Sequence, residues 1–426
     1  MALAPCSSTP LARRTRGTAL RAALLGGAAL GVLLACERQP AVERRPSTVA
    51  VLGPWLTDVQ PNRLTVAWTT QVPLRGEVQF GQGGLLDKTA ADALATTDHR
   101  VVLTGLAPGQ QYDYRIQSEV PQGGSFTSAP DPVGDPFTQP FSVLVYGDNR
   151  TNGGDHALVV RAAGAQGAVL ALHTGDMVVN AKDQKAWERW FDVESDLLAS
   201  TPIYPTVGNH EITDKGVTYS RHFQVKGRPT FRAIDYGAVH VQVLDSFELA
   251  AGAEPHAGAV SDAQKAWAEA DARSVPKDHH LWMLVHQGPE THPLKMRPGH
   301  GGLEGVRQLI AMVAKVHPVE AVFAGHEHFY QRGETGGLNY FVIGGGGAPL
   351  EDPDPAAPGV KAAAKSLGFV VLDVCGCHVT GRAVDISGRT FDSFTLSDCP
   401  QGCRTPLAPL PPLPPLSPAA RAGVSP

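Results

Sequence analysis

Past residue 140 the chain alternates short, mostly apolar runs with longer amphipathic stretches. The runs at 141–146, 168–172, 203–207, 281–284 and 319–323 predict short buried strands. The stretches at 156–166, 184–199, 261–274 and 303–317 carry helical patterning, with Ser261-Asp262 as an N-cap. Strands alternating with helices predict a layered α/β domain, placed at residues 138–400. Ahead of it, residues 49–133 read as all-β. Positions 64–69, 76–80 and 100–103 alternate, and a turn at 105–109 feeds the strand 112–116. Short strands at this spacing predict a small β-sandwich. The stretch 131–136 (Asp-Pro-Val-Gly-Asp-Pro) marks the boundary, and 368–396 returns to strand-like pattern. Residues 404–426, rich in Pro, Ala and Leu, predict a disordered tail.

The N-terminus changes the picture. Arg13, Arg14, Arg16 and Arg21 precede an apolar stretch at 22–35 that is too short to span a bilayer comfortably. This predicts an export signal over residues 1–36. The stretch ends at Leu33-Leu34-Ala35-Cys36, which resembles the lipobox of bacterial lipoproteins. That resemblance implies acylation of Cys36, a lipid anchor, a polar tether at 37–48, and a place in the bacterial cell envelope. The alternative is an ordinary cleaved signal. Cys6 and Cys36 fall in this segment, and Cys375, Cys377, Cys399 and Cys403 crowd the other end. Outside the cytoplasm such a set reads as two disulfides of open pairing, in preference to a zinc knot of unusual spacing.

Composition adds little. With 426 residues the chain suits two domains plus tails, and 42% hydrophobic against 18% charged residues is ordinary for a globular protein. A net charge of −5 gives no electrostatic case for nucleic-acid binding. Nothing in the pattern fixes an oligomeric state.

The chemistry sits where the apolar runs stop: Gly147-Asp148, Gly175-Asp176, Gly208-Asn209-His210-Glu211, Val285-His286 and Gly325-His326-Glu327-His328. Ligands of α/β sheets bind beyond the carboxyl ends of strands. Taken singly, a Gly-Asp pair is a turn and a buried histidine is a core residue. A zinc-protease reading of His326 and His328 fails, because that site needs two histidines four apart on a helix. Taken together, Asp148, Asp176, Asn209, His286, His326 and His328 are oxygen and nitrogen donors suited to Mn, Zn or Fe. They are too many for one ion with an open position, and suit a pair about 3.5–4 Å apart.

This motif series resembles the calcineurin-like metallophosphoesterase superfamily. The β-sandwich with Trp68 and the 106–114 run resembles a fibronectin type III-like module. With the segment 234–246 and the glycines at 344–347, it points to the purple acid phosphatase-like branch. The resemblance implies a four-layer α-β-β-α sandwich holding two divalent or trivalent metal ions (Fe, Zn or Mn). Asp176 would bridge the ions; Asp148 and His328 would complete one site, and Asn209, His286 and His326 the other. His210, oriented by Glu211 or a nearby carboxylate, would protonate the leaving alcohol while metal-bound hydroxide attacks a small-molecule phosphoester. A phosphodiesterase or nucleotidase is the alternative within the superfamily. A catalytically weak surface-binding lipoprotein is the non-enzymatic one.

Two departures stand out. Much of the superfamily has Asp-x-His where this chain has Asp148-Asn149-Arg150, and purple members have tyrosine where it has Val179. The first metal therefore lacks a fourth protein ligand, a place open to water, to His156 or to nothing. Arg150 is expected to contact the phosphoryl oxygens as a second catalytic residue. The stretch holding Pro289, His292 and His300 fits either a pocket wall or a surface loop.

Overall fold

The structure is a computed structural model that describes residues 50–118, 122–223, 230–248 and 259–404, all within one compact unit, Pro46–Pro426. The expected signal (with Cys6 and Cys36), the tether and residues 405–426 of the tail lie outside the described residues. No described helix is long and apolar enough to cross a membrane.

Seven strands make the N-terminal sandwich: β1 (Ala50–Thr57), β2 (Arg63–Leu74), β3 (Glu77–Gly81), β4 (Lys88–Ala91), β5 (Thr96–Thr104), β6 (Gln111–Ile116) and β7 (Gln122–Thr127). The sheet β1-β2-β5 faces the sheet β4-β3-β6-β7. Alternation along the strands explains the pairing of faces. Leu64, Val66 and Trp68 of β2 point inward to meet Val78, Phe80, Tyr112 and Tyr114. The sandwich is also fastened to the α/β region: Trp55 of β1 packs on Phe191, with ring centroids 5.0 Å apart.

The second region opens with β8 (Phe141–Tyr146), α1 (Gly153–Gly164), β9 (Leu170–His173), α2 (Gln184–Leu198), β10 (Ile203–Pro205) and α3 (Val217–Phe223). It continues through β11 (Arg232–Tyr236), β12 (Val239–Val243), α4 (Asp262–Ala272), β13 (His280–Leu284), α5 (Glu304–Val313) and β14 (Ala321–Ala324). It closes with β15 (Tyr330–Thr335), β16 (Leu338–Ile343), β17 (Val360–Ala364), β18 (Gly368–Cys375), β19 (His378–Asp385) and β20 (Thr390–Ser397). One sheet runs β10-β9-β8-β18-β19-β20 and the other β11-β12-β13-β14-β16-β15-β17.

Both sheets are covered on both faces, which is why the runs are mostly apolar rather than alternating. Val143 and Val145 of β8 meet Trp282, Leu284 and Phe323 between the sheets. Leu144 and Tyr146 turn the other way, toward Val159 of α1 and Trp187 of α2. On the far sheet Leu281 and Met283 lie with Ala268 of α4 and Leu309 of α5. The result is the four-layer α-β-β-α sandwich with a β-sandwich in front. Each such side chain, fully buried, contributes about 1.5–3 kcal/mol.

Local differences from the sequence pattern have physical causes. Helix α1 starts at Gly153 because the Asn152 side chain accepts from Gly154 N and Asp155 N, capping it three residues earlier than the apolar pattern. Helix α3 has no periodic signal in its seven residues; Phe223 holds it by stacking on Phe191, with centroids 6.1 Å apart. The cysteines pair as Cys375–Cys403 and Cys377–Cys399, tying the end of β18 to the segment after β20.

Candidate metal centre

Every one of the five motifs comes directly after a strand. Asp148 follows β8, Asp176 follows β9, Asn209 follows β10, His286 follows β13 and His326 follows β14. The strands β8, β9 and β10 run parallel in one sheet, as do β13 and β14 in the other, so all five loops emerge at one end. Asp148, Asp176 and His326 hold φ values of 58°, 56° and 71°, a conformation non-glycine residues avoid. Strain of about 1–3 kcal/mol at each such position persists only where the surroundings impose it. Two motif glycines answer to proximity. A Cβ on Gly208 would lie 2.3 Å from Asp176 Oδ1, and one on Gly325 would lie 2.2 Å from Asp148 Oδ2.

The structure brings the six sequence-predicted ligands into two groups that share Asp176. In one group Asn209 Oδ1 lies 3.1 Å from His286 Nε2 and 3.0 Å from His326 Nδ1. His286 Nε2 is 3.2 Å from His326 Nδ1 and 3.4 Å from Asp176 Oδ1. In the other group Asp148, Asp176 and His328 each offer a donor atom within 4.8 Å of the other two.

The far nitrogen of each imidazole fixes its tautomer. His286 Nδ1–H donates to Thr174 O at 2.6 Å, His326 Nε2–H to Gly299 O at 3.3 Å, and His328 Nδ1–H to Pro349 O at 2.9 Å. Each ring thus turns a lone pair inward, the arrangement that orients metal-binding histidines. Burial lowers all three: His286 falls, His326 drops to about 3 with His286 and His300 nearby, and His328 to about 4 beside Arg150. Burial alone would raise Asp176, but His286, His210 and Arg150 hold it well below the usual carboxylate range. Burial and then Asp176 push Asp148 well above it. Neutral imidazoles facing buried carboxylates are a donor set that fits a divalent ion.

His210 lies beside the shared carboxylate, its Nε2 3.7 Å from Asp176 Oδ2. What orients it differs from the expectation. The Nδ1–H donates to Val179 O at 2.6 Å, so a backbone carbonyl, not Glu211, sets the ring. Glu211 is instead a clamp. It accepts from Asp176 N and Gly208 N through one oxygen, at 2.8 and 2.9 Å, and from Met177 N and Val178 N through the other. It thereby fixes the loops carrying Asp176 and Asn209.

Arg150 also departs from its expected pose. Its guanidinium turns inward, donating from Nε to Asp176 Oδ2 at 3.0 Å and from an Nη to His328 Nε2 at 3.1 Å. His156 is not available to the first group; its Nε2 pairs with Glu194 Oε1 at 2.8 Å, and Tyr146 donates to the other oxygen of Glu194. Asn149 turns back as well, pairing with His173 and donating to Gly346 O. The glycines at 344–347 bring up a strand end against the first motif, where Ala348 N donates to Asp148 O at 2.9 Å. Of the unassigned stretch, His300 reaches the centre and stacks on His326 with centroids 4.3 Å apart. His292 is held away by Gln331.

Fold and donor groups define a class, the metallophosphoesterases, and comparison with known proteins agrees. Residues 141–330 match the family model of the Calcineurin-like phosphoesterase. The chain carries a calcineurin-like metallophosphoesterase domain, and acid phosphatases and purple acid phosphatases are among the proteins it is similar to. It is 29% identical to mouse (Mus musculus) acid phosphatase type 7 over 311 residues, 64% of this chain and 68% of that protein. Against purple acid phosphatase 23 of Arabidopsis thaliana it is 25% identical over 295 residues, 58% of this chain and 62% of that protein. In fold it resembles the purple acid phosphatase PPD1 of yellow lupin (Lupinus luteus), with a TM-score of 0.68 and 18% identity. That match covers 85% of this chain and 79% of the lupin chain.

Proposed function

We propose that this protein is a phosphomonoesterase whose two donor groups each hold one metal ion, Fe, Zn or Mn, with Asp176 shared between them. The observation that carries the reading is the convergence of Asp176, Asn209, His286 and His326 within 3.0–3.4 Å, each imidazole locked by a carbonyl behind it. When bound, the metals supply Lewis acidity toward the phosphoryl oxygens and lower the pKa of a water. The chain's own residues do the rest. His210, with Nδ1–H tied to Val179 O, holds a proton at Nε2 for the leaving alcohol. Glu211 keeps the Asp176 and Gly208 loops at fixed separation while substrate enters. The substrate is a small-molecule phosphoester, and acylation at Cys36 would anchor the exported protein in the bacterial envelope.

The test is a panel of mono- and diesters offered to protein reconstituted with each metal. Monoester hydrolysis that survives unchanged in His210→Ala would remove the proposed acid, and turnover of diesters alone would move the assignment to phosphodiesterase. For the anchor, palmitate labelling that persists in Cys36→Ser would contradict the lipid site.

A further inference from the structure

In the first donor group the place between Asp176 and His328 is taken by this chain's own cation. Arg150 Nε–H donates to Asp176 Oδ2 at 3.0 Å and an Nη–H donates to His328 Nε2 at 3.1 Å. Those are the inward atoms of two of the three residues that face one another there; the third, Asp148, is fully buried. His328 can accept only because its Nδ1–H is committed to Pro349 O. The guanidinium is itself largely covered, its side chain 17% exposed. A buried pair of carboxylates needs a positive charge, and an arginine that cannot lose its proton supplies one permanently. Two further positions give the first group no donor. Asn149 turns to His173 and Gly346, and Val179 is apolar. In the second group Arg150 reaches only the shared Asp176; among the described residues no guanidinium or ammonium donates to Asn209, His286 or His326.

We propose that Arg150 is the resident cation of the first site, so that the two sites load unequally. The Asn209–His286–His326 group takes one ion firmly; the Asp148–His328 group takes another only as Arg150 withdraws toward the open cleft. This rests on the two-group reading of the centre given above.

Metal per chain, measured by plasma mass spectrometry after gel filtration and by calorimetric titration with Mn²⁺ or Zn²⁺, tests it. Wild-type protein should retain close to one equivalent and take a second weakly. Arg150→Gln removes the charge but keeps a polar side chain. It should tighten the weaker step by at least about tenfold, the minimum expected on removing a like charge a few ångströms from the ion. Arg150→His, which adds a donor, should retain two equivalents, and serves alone if the glutamine variant does not fold. Asn209→Ala should lose the firm equivalent; retention would overturn the assignment of that equivalent to the second group. Two equivalents of equal affinity in wild type, or no change in either Arg150 variant, would overturn the proposal. If wild type held two firm ions and hydrolysed phosphoesters, this inference would fall and the proposed function would stand. One firm ion with no hydrolysis of any phosphoester would do the reverse.

Discussion

Around His286, Asn209 and two imidazoles meet with no guanidinium donating to any of the three, whereas around His328 an arginine donates to the imidazole itself. Both halves lie at the same end of the sheets, share Asp176, and are built from residues placed just after strands. They differ in what completes them. The His286 half has an asparagine and two imidazoles whose far nitrogens are tied to Thr174 O and Gly299 O. The His328 half has one imidazole, one private carboxylate, and no fourth donor from Asn149, His156 or Val179. The difference teaches that a shared fold fixes where a metal centre lies without fixing how evenly it is furnished. A single position, Arg150, decides the balance.

The largest effect should come from the better-furnished half. His286→Ala removes a donor at full burial, and metal content and phosphoester turnover should both fall to background; turnover retained with metal lost would break the comparison. Next is His210→Ala, where kcat should fall about 10²–10⁴-fold while metal content holds, because this ring acts on the leaving group. Equal loss of metal and rate would make His210 a ligand instead. Glu211→Ala comes third. It strands four backbone N–H groups, so denaturant unfolding should show a loss of about 1–3 kcal/mol or more. Metal affinity should drop with it, since the Asp176 and Gly208 loops lose their common acceptor.

The smallest effect lies away from the centre and separates stability from chemistry. His240 sits between Asp235 and Asp271; burial alone would lower it, but these hydrogen bonds outweigh burial and push it up to about 9. Its folded value lies above the unfolded one. The stabilisation is therefore complete below about pH 6.5 and lost as pH rises through about 9. With Asp235 mostly exposed, roughly 1–2 kcal/mol is at stake. His240→Gln should flatten that part of the stability–pH curve and leave metal content unchanged.

Much of this was legible in the chain. Strands buried on both faces announce themselves as mostly apolar runs without alternation, and a polar motif after each run is a local signal, so the ends of β8, β9, β10, β13 and β14 could be read directly. The six donors came from residue type. What stayed hidden is carried by backbone atoms and by direction. The carbonyls of Val179, Thr174, Gly299 and Pro349 orient the four histidines, and a carbonyl has no letter in a sequence. Glu211 was visible, but three of its four N–H donors come from a loop 33 to 35 residues away, so its clamping role was not. Arg150 could be placed beside the centre by its spacing from Asp148. Whether it turned outward to substrate or inward depended on Asp176 Oδ2 and His328 Nε2 lying within its reach, and His328 is 178 residues away in the chain. The short helix α3 is held by the stacking of Phe223 on Phe191 and by the Asp214 side chain, which accepts from Val217 N and Thr218 N; the stacking joins residues 32 apart, which no window of seven residues encodes.

The measurement that bears most directly on the central claim is hydrolysis of a generic phosphomonoester by the purified protein before and after chelation, with metal content recorded at each stage. The account predicts activity that disappears with the metal and returns when Mn, Zn or Fe is restored. Activity indifferent to chelation, or fully loaded protein that hydrolyses no phosphoester, would contradict it.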